Sequence, residues 1–152
     1  GEAIEEDISL NRKTEMMKAS AGAPAKLLIV EDYEGNIMVV SHILEDIGCA
    51  YDVARTGVEA LKLWKENHYN VILMDIQMPE MDGFTATAQI RKMEQANGLP
   101  RTPIIGMTAH ALVGDKDKCI AAGMDAYLPK PIVETNLKAQ ILKFLNEQKR
   151  AA

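Results

Sequence analysis

Glu31 and Asp32 follow an apolar run at Leu27 to Val30, Asp75 follows another at Val71 to Met74, and Thr108 closes a third at Ile104 to Met107. Lys130 comes just after a last short apolar segment, Ala126 to Leu128. If these runs are strands ending on one edge of a sheet, three carboxylates, one hydroxyl and one ammonium meet there. Any one acidic residue can simply end a strand in solvent, but convergence from independent strands argues for a site. Carboxylates so crowded raise one another's pKa unless a cation stands among them. With oxygen donors only, and neither His nor Cys in the set, the suitable ion is Mg²⁺ (or Mn²⁺ in its place), held by one or two carboxylates, water and phosphate oxygens. A carboxylate beside such an ion, with a lysine and a threonine close by, is equipped to accept a phosphoryl group as a mixed anhydride. Asp75 suits the nucleophile's part, because it stands alone at its strand end and the loop from Pro79 to Gly83 bends the chain clear. Lys130 and the metal then fall to the phosphoryl oxygens, since positioning and charge neutralisation do most of the work in phosphoryl transfer.

The elements that must position these groups are written in the hydrophobic pattern. Nearly continuous apolar runs of strand length are what strands buried on both faces of a parallel sheet look like. Tyr51 to Ala54 is less uniformly apolar and suits an edge strand. Between the runs lie helical stripes with identifiable ends. Ile37, Val40, Leu44 and Ile47 recur at helical spacing before Gly48. Thr56 and Glu59 form a capping box that opens a helix at about residues 57–68. A third helix is expected from about Phe84 to Ala96, closed by Asn97-Gly98, and a fourth from about Val113 to Ala122, closed by Gly123. The fifth carries Leu137, Ile141, Phe144 and Leu145 on one stripe. Strict strand-helix alternation calls for an α/β domain with a doubly wound parallel sheet covered on both faces. In such sheets the functional crevice lies outside the carboxyl ends of the strands, where the polar residues above fall.

The 152 residues suit one such domain plus a short extension. Residues 1–25 end in the small-residue run Ala19-Ser20-Ala21-Gly22-Ala23-Pro24 and read as a linker or N-terminal extension, with a thin stripe for a short helix from Ile8 to Met17. The domain is expected over residues 26–148, with a tail at 149–152. Seventeen Lys and Arg against twenty-two Asp and Glu give a net charge of −5, which argues against nucleic acid or an acidic membrane as a direct partner. The longest apolar runs fall far short of the roughly 20 residues of a bilayer span, so the chain reads as soluble, and a cytoplasmic setting is expected, alone or as the cytoplasmic part of a membrane-bound sensor kinase. Cys49 and Cys119 lack metal-ligand spacing and read as reduced thiols.

Four segments in order, Lys26 to Asp32 (KLLIVED), Leu73 to Gly83 (LMDIQMPEMDG), Met107 to Ala111 (MTAHA) and Tyr127 to Ile132 (YLPKPI), resemble the receiver domains of two-component response regulators. The stretch Ala86 to Arg91 and the run from Thr108 to Ile132 resemble more closely the receivers fused to hybrid sensor histidine kinases. The resemblance implies a flavodoxin-like (βα)5 fold of strand order 2-1-3-4-5. It implies that Asp75 is the phosphoacceptor, with Asp32, Asp75 and the Gln77 carbonyl as Mg²⁺ ligands and Glu31 acting through water. Thr108 and Lys130 would bind the phosphoryl oxygens, and Tyr127 would be the aromatic switch that turns inward when Thr108 moves. Lys130-Pro131 would be a cis peptide. The donor or acceptor would be a histidine kinase dimerisation domain or a histidine phosphotransfer domain. The domain itself would catalyse only its own phosphorylation and dephosphorylation, as part of a hybrid kinase or as a stand-alone regulator.

Two departures stand out: Tyr33 follows the acidic pair where such receivers often carry Asn, and Gly106 replaces a more usual Ala. Tyr33 either restricts access to the pocket or is an exposed loop aromatic. His110 reads as a helix-start residue that could instead tune water access with Gln77, and His42 as a surface histidine. Ile37 to Val40 is longer than one amphipathic face can bury, so Met38 and Val39 should protrude and offer an edge to a helical, histidine-bearing partner. An Asp-nucleophile phosphatase would need a second Asp where Gln77 stands, and a flavodoxin would not place Glu31-Asp32 against a phosphate.

Overall fold

A computed structural model describes residues 24–78, 81–109 and 115–151. The expected extension up to Ala23, its helix from Ile8 to Met17, Pro79 and His110 lie outside the described residues. The chain alternates strand and helix from β1 (Lys26–Val30), α1 (Glu34–Asp46), β2 (Ala50–Ala54) and α2 (Gly57–Glu66) to β3 (Val71–Asp75) and α3 (Gly83–Asn97). It continues through β4 (Ile104–Thr108), α4 (Asp115–Ala122) and β5 (Ala126–Pro129) to α5 (Glu134–Ala151), which runs on past residue 148. All strand pairs are parallel and the order is β2-β1-β3-β4-β5, which puts β3 at the centre and β2 at an edge.

Alternate strand residues feed two cores, as the two-residue period of a strand requires. Leu28, Val30, Ile72, Met74 and Ile104 face α2, α3 and α4 with Trp64, Ala86 and Ile90. Leu27, Ile29, Val71, Leu73 and Ile105 face α1 and α5 with Val40, Leu44, Leu137, Ile141 and Phe144. The helix stops work as expected, with Gly48, Gly98 and Gly123 all at positive φ. The Thr56 hydroxyl accepts from the Glu59 amide at 3.1 Å, which opens α2. This helix ends at Glu66 rather than near residue 68, because Asn67 turns to extended backbone while its main-chain and side-chain nitrogens both bond the Leu63 carbonyl. In α3 the cap is Asp82, whose carboxylate accepts from the Thr85 amide at 2.8 Å.

Arg91 of α3 ties together the ends of elements opposite the rim formed by the carboxyl ends of the strands. It donates to the carbonyls of Thr102 and Gly123 and pairs with Glu94 and Asp125, all at 2.7–2.8 Å. Every charge in that half-buried cluster thus has partners, the condition under which burying charges is tolerated.

Gly106 has a steric reason. A Cβ built there would lie 2.6 Å from the Met124 sulfur and 3.4 Å from Ile76 Cδ1, so methionine fills the space an alanine would take. Gly106→Ala is therefore expected to lower stability by about 1 kcal/mol, the low end of the overpacking range, because the obstacle is the far end of a flexible methionine. A urea midpoint checks this, and Met124→Ala should cost less in the Gly106→Ala background than in the wild type.

Candidate functional site

The carboxyl ends of β1, β3, β4 and β5 carry the site. Main-chain bonds hold each end in place. Glu31 extends the β1–β2 ladder by donating its amide to Ala54, Ile76 donates to Met107, and Lys130 donates to Thr108 at 2.7 Å. Lys130-Pro131 is cis, as expected. Beneath β3 the chain returns closely. The Gly83 amide donates to the Ile76 carbonyl at 3.0 Å, and a Cβ on residue 83 would collide with the Asp75 carbonyl oxygen, so only glycine lets α3 begin there.

The structure brings together Glu31, Asp32, Asp75 and Lys130. One carboxylate oxygen from each of the three acids lies within 4.8 Å of the others. Glu31 and Asp75 are buried, whereas Asp32 faces solvent. The Lys130 ammonium sits 2.9 Å from Glu31 Oε1 and 3.1 Å from Asp75 Oδ1. The Gln77 amide donates to Asp75 Oδ1 at 3.1 Å, while the Gln77 side chain is exposed. Thr108 is buried at the end of β4, on the same rim.

Burial and the neighbouring Glu31 push the Asp75 carboxyl up to about 7, against the pull of Lys130 and the Gln77 amide. Burial also works against ionised Glu31, but its hydrogen bonds with Asp75, Lys130 and Asn36 outweigh that and hold it below the ordinary carboxylate value. Below about pH 7 the two carboxylates therefore hold one proton between them when no metal is bound. Burial depresses Lys130, yet its two carboxylate partners prevail and raise it, so it stays charged. A hard divalent cation fits this donor set: oxygen ligands only, one acid open to solvent, and a proton that a metal could displace.

The other expected residues lie around this centre. Tyr127 is half-buried on β5, opposite Gly106 in register and packed on the α2–α4 side. Tyr33 is 65% exposed, with its ring over Gly35 in the first turn of α1. Met38 and Val39 do protrude, at 65% and 51% exposure, while Ile37, Val40, Ile43 and Leu44 are buried. Together with exposed His42, with Ile132 in the loop before α5 and with Glu134 at its start, they line an open groove. Asn36 was not expected from the sequence. Its side-chain nitrogen donates to Glu31 Oε1 at 2.6 Å, and the signal that could have found it is an amide placed on the first helical turn after the acidic pair. No helix among the described residues is long and apolar enough to cross a membrane.

Comparison with known proteins bears on the same residues. The family described as response regulator receiver domain matches residues 27–142. The hybrid signal transduction histidine kinase B of Dictyostelium discoideum is 40% identical over 144 residues, covering 86% of this chain and 7% of that protein. The chain thus spans a small part of such relatives. Among solved structures, the magnesium-bound receiver domain of sensor histidine kinase PA1611 from Pseudomonas aeruginosa aligns with a TM-score of 0.73 and 35% identity, covering 82% of this chain and 99% of that one. The Saccharomyces cerevisiae receiver domain of Ssk1, solved with the histidine phosphotransfer protein Ypd1, gives a TM-score of 0.75 at 32% identity over 80% of this chain and 88% of that one.

Proposed function

Because the chain belongs to the response regulator receiver domain family, we propose that it takes a phosphoryl group from a histidine onto the Asp75 carboxylate. The observation that carries this reading is Lys130 bridging buried Asp75 and Glu31 at 3.1 and 2.9 Å, inside a three-carboxylate cluster. In the transfer, an Asp75 oxygen forms a bond to phosphorus as the bond from phosphorus to the imidazole nitrogen breaks. The electron pair of the broken bond returns to the imidazole. Lys130 and Thr108 hold the phosphoryl oxygens, and Asp75 loses its proton before it can act as nucleophile. Asp32, Asp75 and the Gln77 carbonyl would hold Mg²⁺, with Glu31 acting through water. When bound, that ion supplies positive charge against the phosphoryl oxygens.

In this reading Thr108 moves toward the phosphoryl group and Tyr127 turns inward, which shifts the balance between two arrangements of the α4–β5 side. The domain, residues 26–148, works in the cytoplasm as part of a hybrid sensor histidine kinase; the hybrid kinase relative, matched over 7% of its length, supports the second part of that reading. Its donor or acceptor is a dimerisation or phosphotransfer domain whose histidine-bearing helix lies along the Met38–Val39 edge and reaches Asp75 in line. The neighbour solved with a phosphotransfer protein supports that class of partner.

Incubation with a small phosphodonor should add one phosphoryl group by intact mass, only when Mg²⁺ is present. Borohydride reduction and peptide mapping should then place it at residue 75. An adduct on any other residue, or none under rapid quenching, would overturn the assignment. For the partner surface, Met38→Asp is expected to slow transfer from a phosphohistidine donor about tenfold or more while leaving the small-donor rate unchanged. Equal rates from the protein donor in wild type and variant would clear Met38 of that role.

A further inference from the structure

Glu31 is fully buried, and besides its hydrogen bond with Asp75 it has three further donors divided between its oxygens. Oε2 accepts from the Asp32 amide at 3.0 Å, while Oε1 accepts from Asn36 Nδ2 at 2.6 Å and from Lys130 Nζ at 2.9 Å. Asn36 reaches it from α1, in an arrangement that forgoes a local alternative. The helix opens at Tyr33, which offers no side-chain cap, and Asn36 stands at the third helical position, where a side chain commonly turns back to the cap residue's amide. Here it turns instead to a carboxylate five residues earlier.

We infer that Asn36 is a positioning residue: it holds the Glu31 carboxylate in place so that Lys130 can leave Glu31 for the phosphoryl group. This rests on the phosphoacceptor reading above. Lys130 contacts both acids at nearly equal distance, so its move onto phosphoryl oxygens strips Glu31 of its only cationic partner among the described residues. A buried carboxylate left without partners is strongly disfavoured, which would hold Lys130 back. With Asn36 and the Asp32 amide still donating to opposite oxygens, Glu31 keeps two hydrogen bonds and its orientation. Sharing Oε1 between two donors also weakens the grip of Glu31 on the ammonium. Asn36 touches neither Asp75 nor Lys130 in any observed hydrogen bond, so its action runs through Glu31.

The test is a double-mutant cycle read in two ways: initial rate from a small phosphodonor at saturating Mg²⁺, and Mg²⁺ affinity by calorimetry with no donor present. Asn36→Ala should slow phosphorylation about tenfold and weaken Mg²⁺ binding severalfold. Asn36→Leu, which keeps the approximate shape and removes the donor without adding charge, should do at least as much. Glu31→Asp withdraws the carboxylate by one methylene and is expected to break its hydrogen bond with the Asn36 amide. Adding Asn36→Ala there should change either readout less than about twofold. Equal losses in both backgrounds would assign Asn36 to the fold alone, and no loss in the wild-type background would remove it from the site. If no phosphoryl uptake occurs in any protein, the phosphoacceptor reading fails, and the calorimetric cycle still decides whether Asn36 positions Glu31.

Discussion

A Lys130→Met protein is expected to bind Mg²⁺ more tightly than wild type and yet take up phosphoryl groups at least about a hundredfold more slowly. The two effects have one origin. Lys130 is a resident cation, 2.9 Å from Glu31 and 3.1 Å from Asp75, and it does part of what a divalent ion would do in neutralising the acids. Methionine keeps the length of the side chain and removes the charge. Glu31, Asp32 and Asp75 would then repel one another with nothing but a proton or a metal to relieve them, so a metal gains affinity. The transferring phosphoryl group meets the opposite situation, since its oxygens lose the ammonium that should receive them. Calorimetric Mg²⁺ titration and rates at saturating Mg²⁺ separate the two. A fall in both together would show that Lys130 mainly maintains the shape of the site. A rate within about twofold of wild type would take Lys130 out of the chemistry.

How far such a site can be read from sequence depends on the range of the interactions that build it. Leu27 to Val30, Val71 to Met74 and Ile104 to Met107 announce themselves because strands buried on both faces must be apolar at every position. The polar residue after each run then falls on the rim by geometry alone. The Thr56 capping box and the glycine stops are equally local. Strand order was not legible in periodicity, since pairing joins residues far apart in the chain, and it came only with the family resemblance. Asp82 as the cap of α3 was missed although its signal is local, an aspartate three residues before Thr85. Other features needed packing to become visible. Gly106 looked like a departure until Met124 proved to occupy its volume. Arg91 spans to Thr102, Gly123 and Asp125, a web that no spacing rule encodes. Met38 and Val39 were legible because a helix with Ile37, Val40, Ile43 and Leu44 inside has no further face to bury them. Least legible was the proton on Asp75, which depends on burial and on Glu31, forty-four residues earlier in the chain.

That proton should make Mg²⁺ binding strongly pH-dependent. With the Asp75 carboxyl raised to about 7, a metal must displace a proton below that pH and need not above it. Apparent Mg²⁺ affinity is therefore expected to rise up to about tenfold per pH unit between about pH 5 and 7 and to level off beyond, since one pKa unit corresponds to a tenfold change in the ionised fraction. Titrations near pH 5, 6, 7 and 8 test this, and a flat profile would refute it. Stability of the metal-free fold should move the other way. The folded state keeps a proton that the unfolded chain releases above 3.8, so this contribution is fully present below that pH and is lost as pH rises toward 7. Glu31, lowered from 4.5, contributes with the opposite sign, but its window lies below 4.5, and Lys130, raised from 10.5, loses its contribution only in alkali. Between about pH 5 and 7 the slope belongs to Asp75 among these three groups. Asp75→Asn should flatten both the stability slope and the Mg²⁺ profile across that interval, because it removes the shared proton while leaving Lys130 a partner in Glu31. A variant that kept the wild-type slope would show that the titrating group is some other residue.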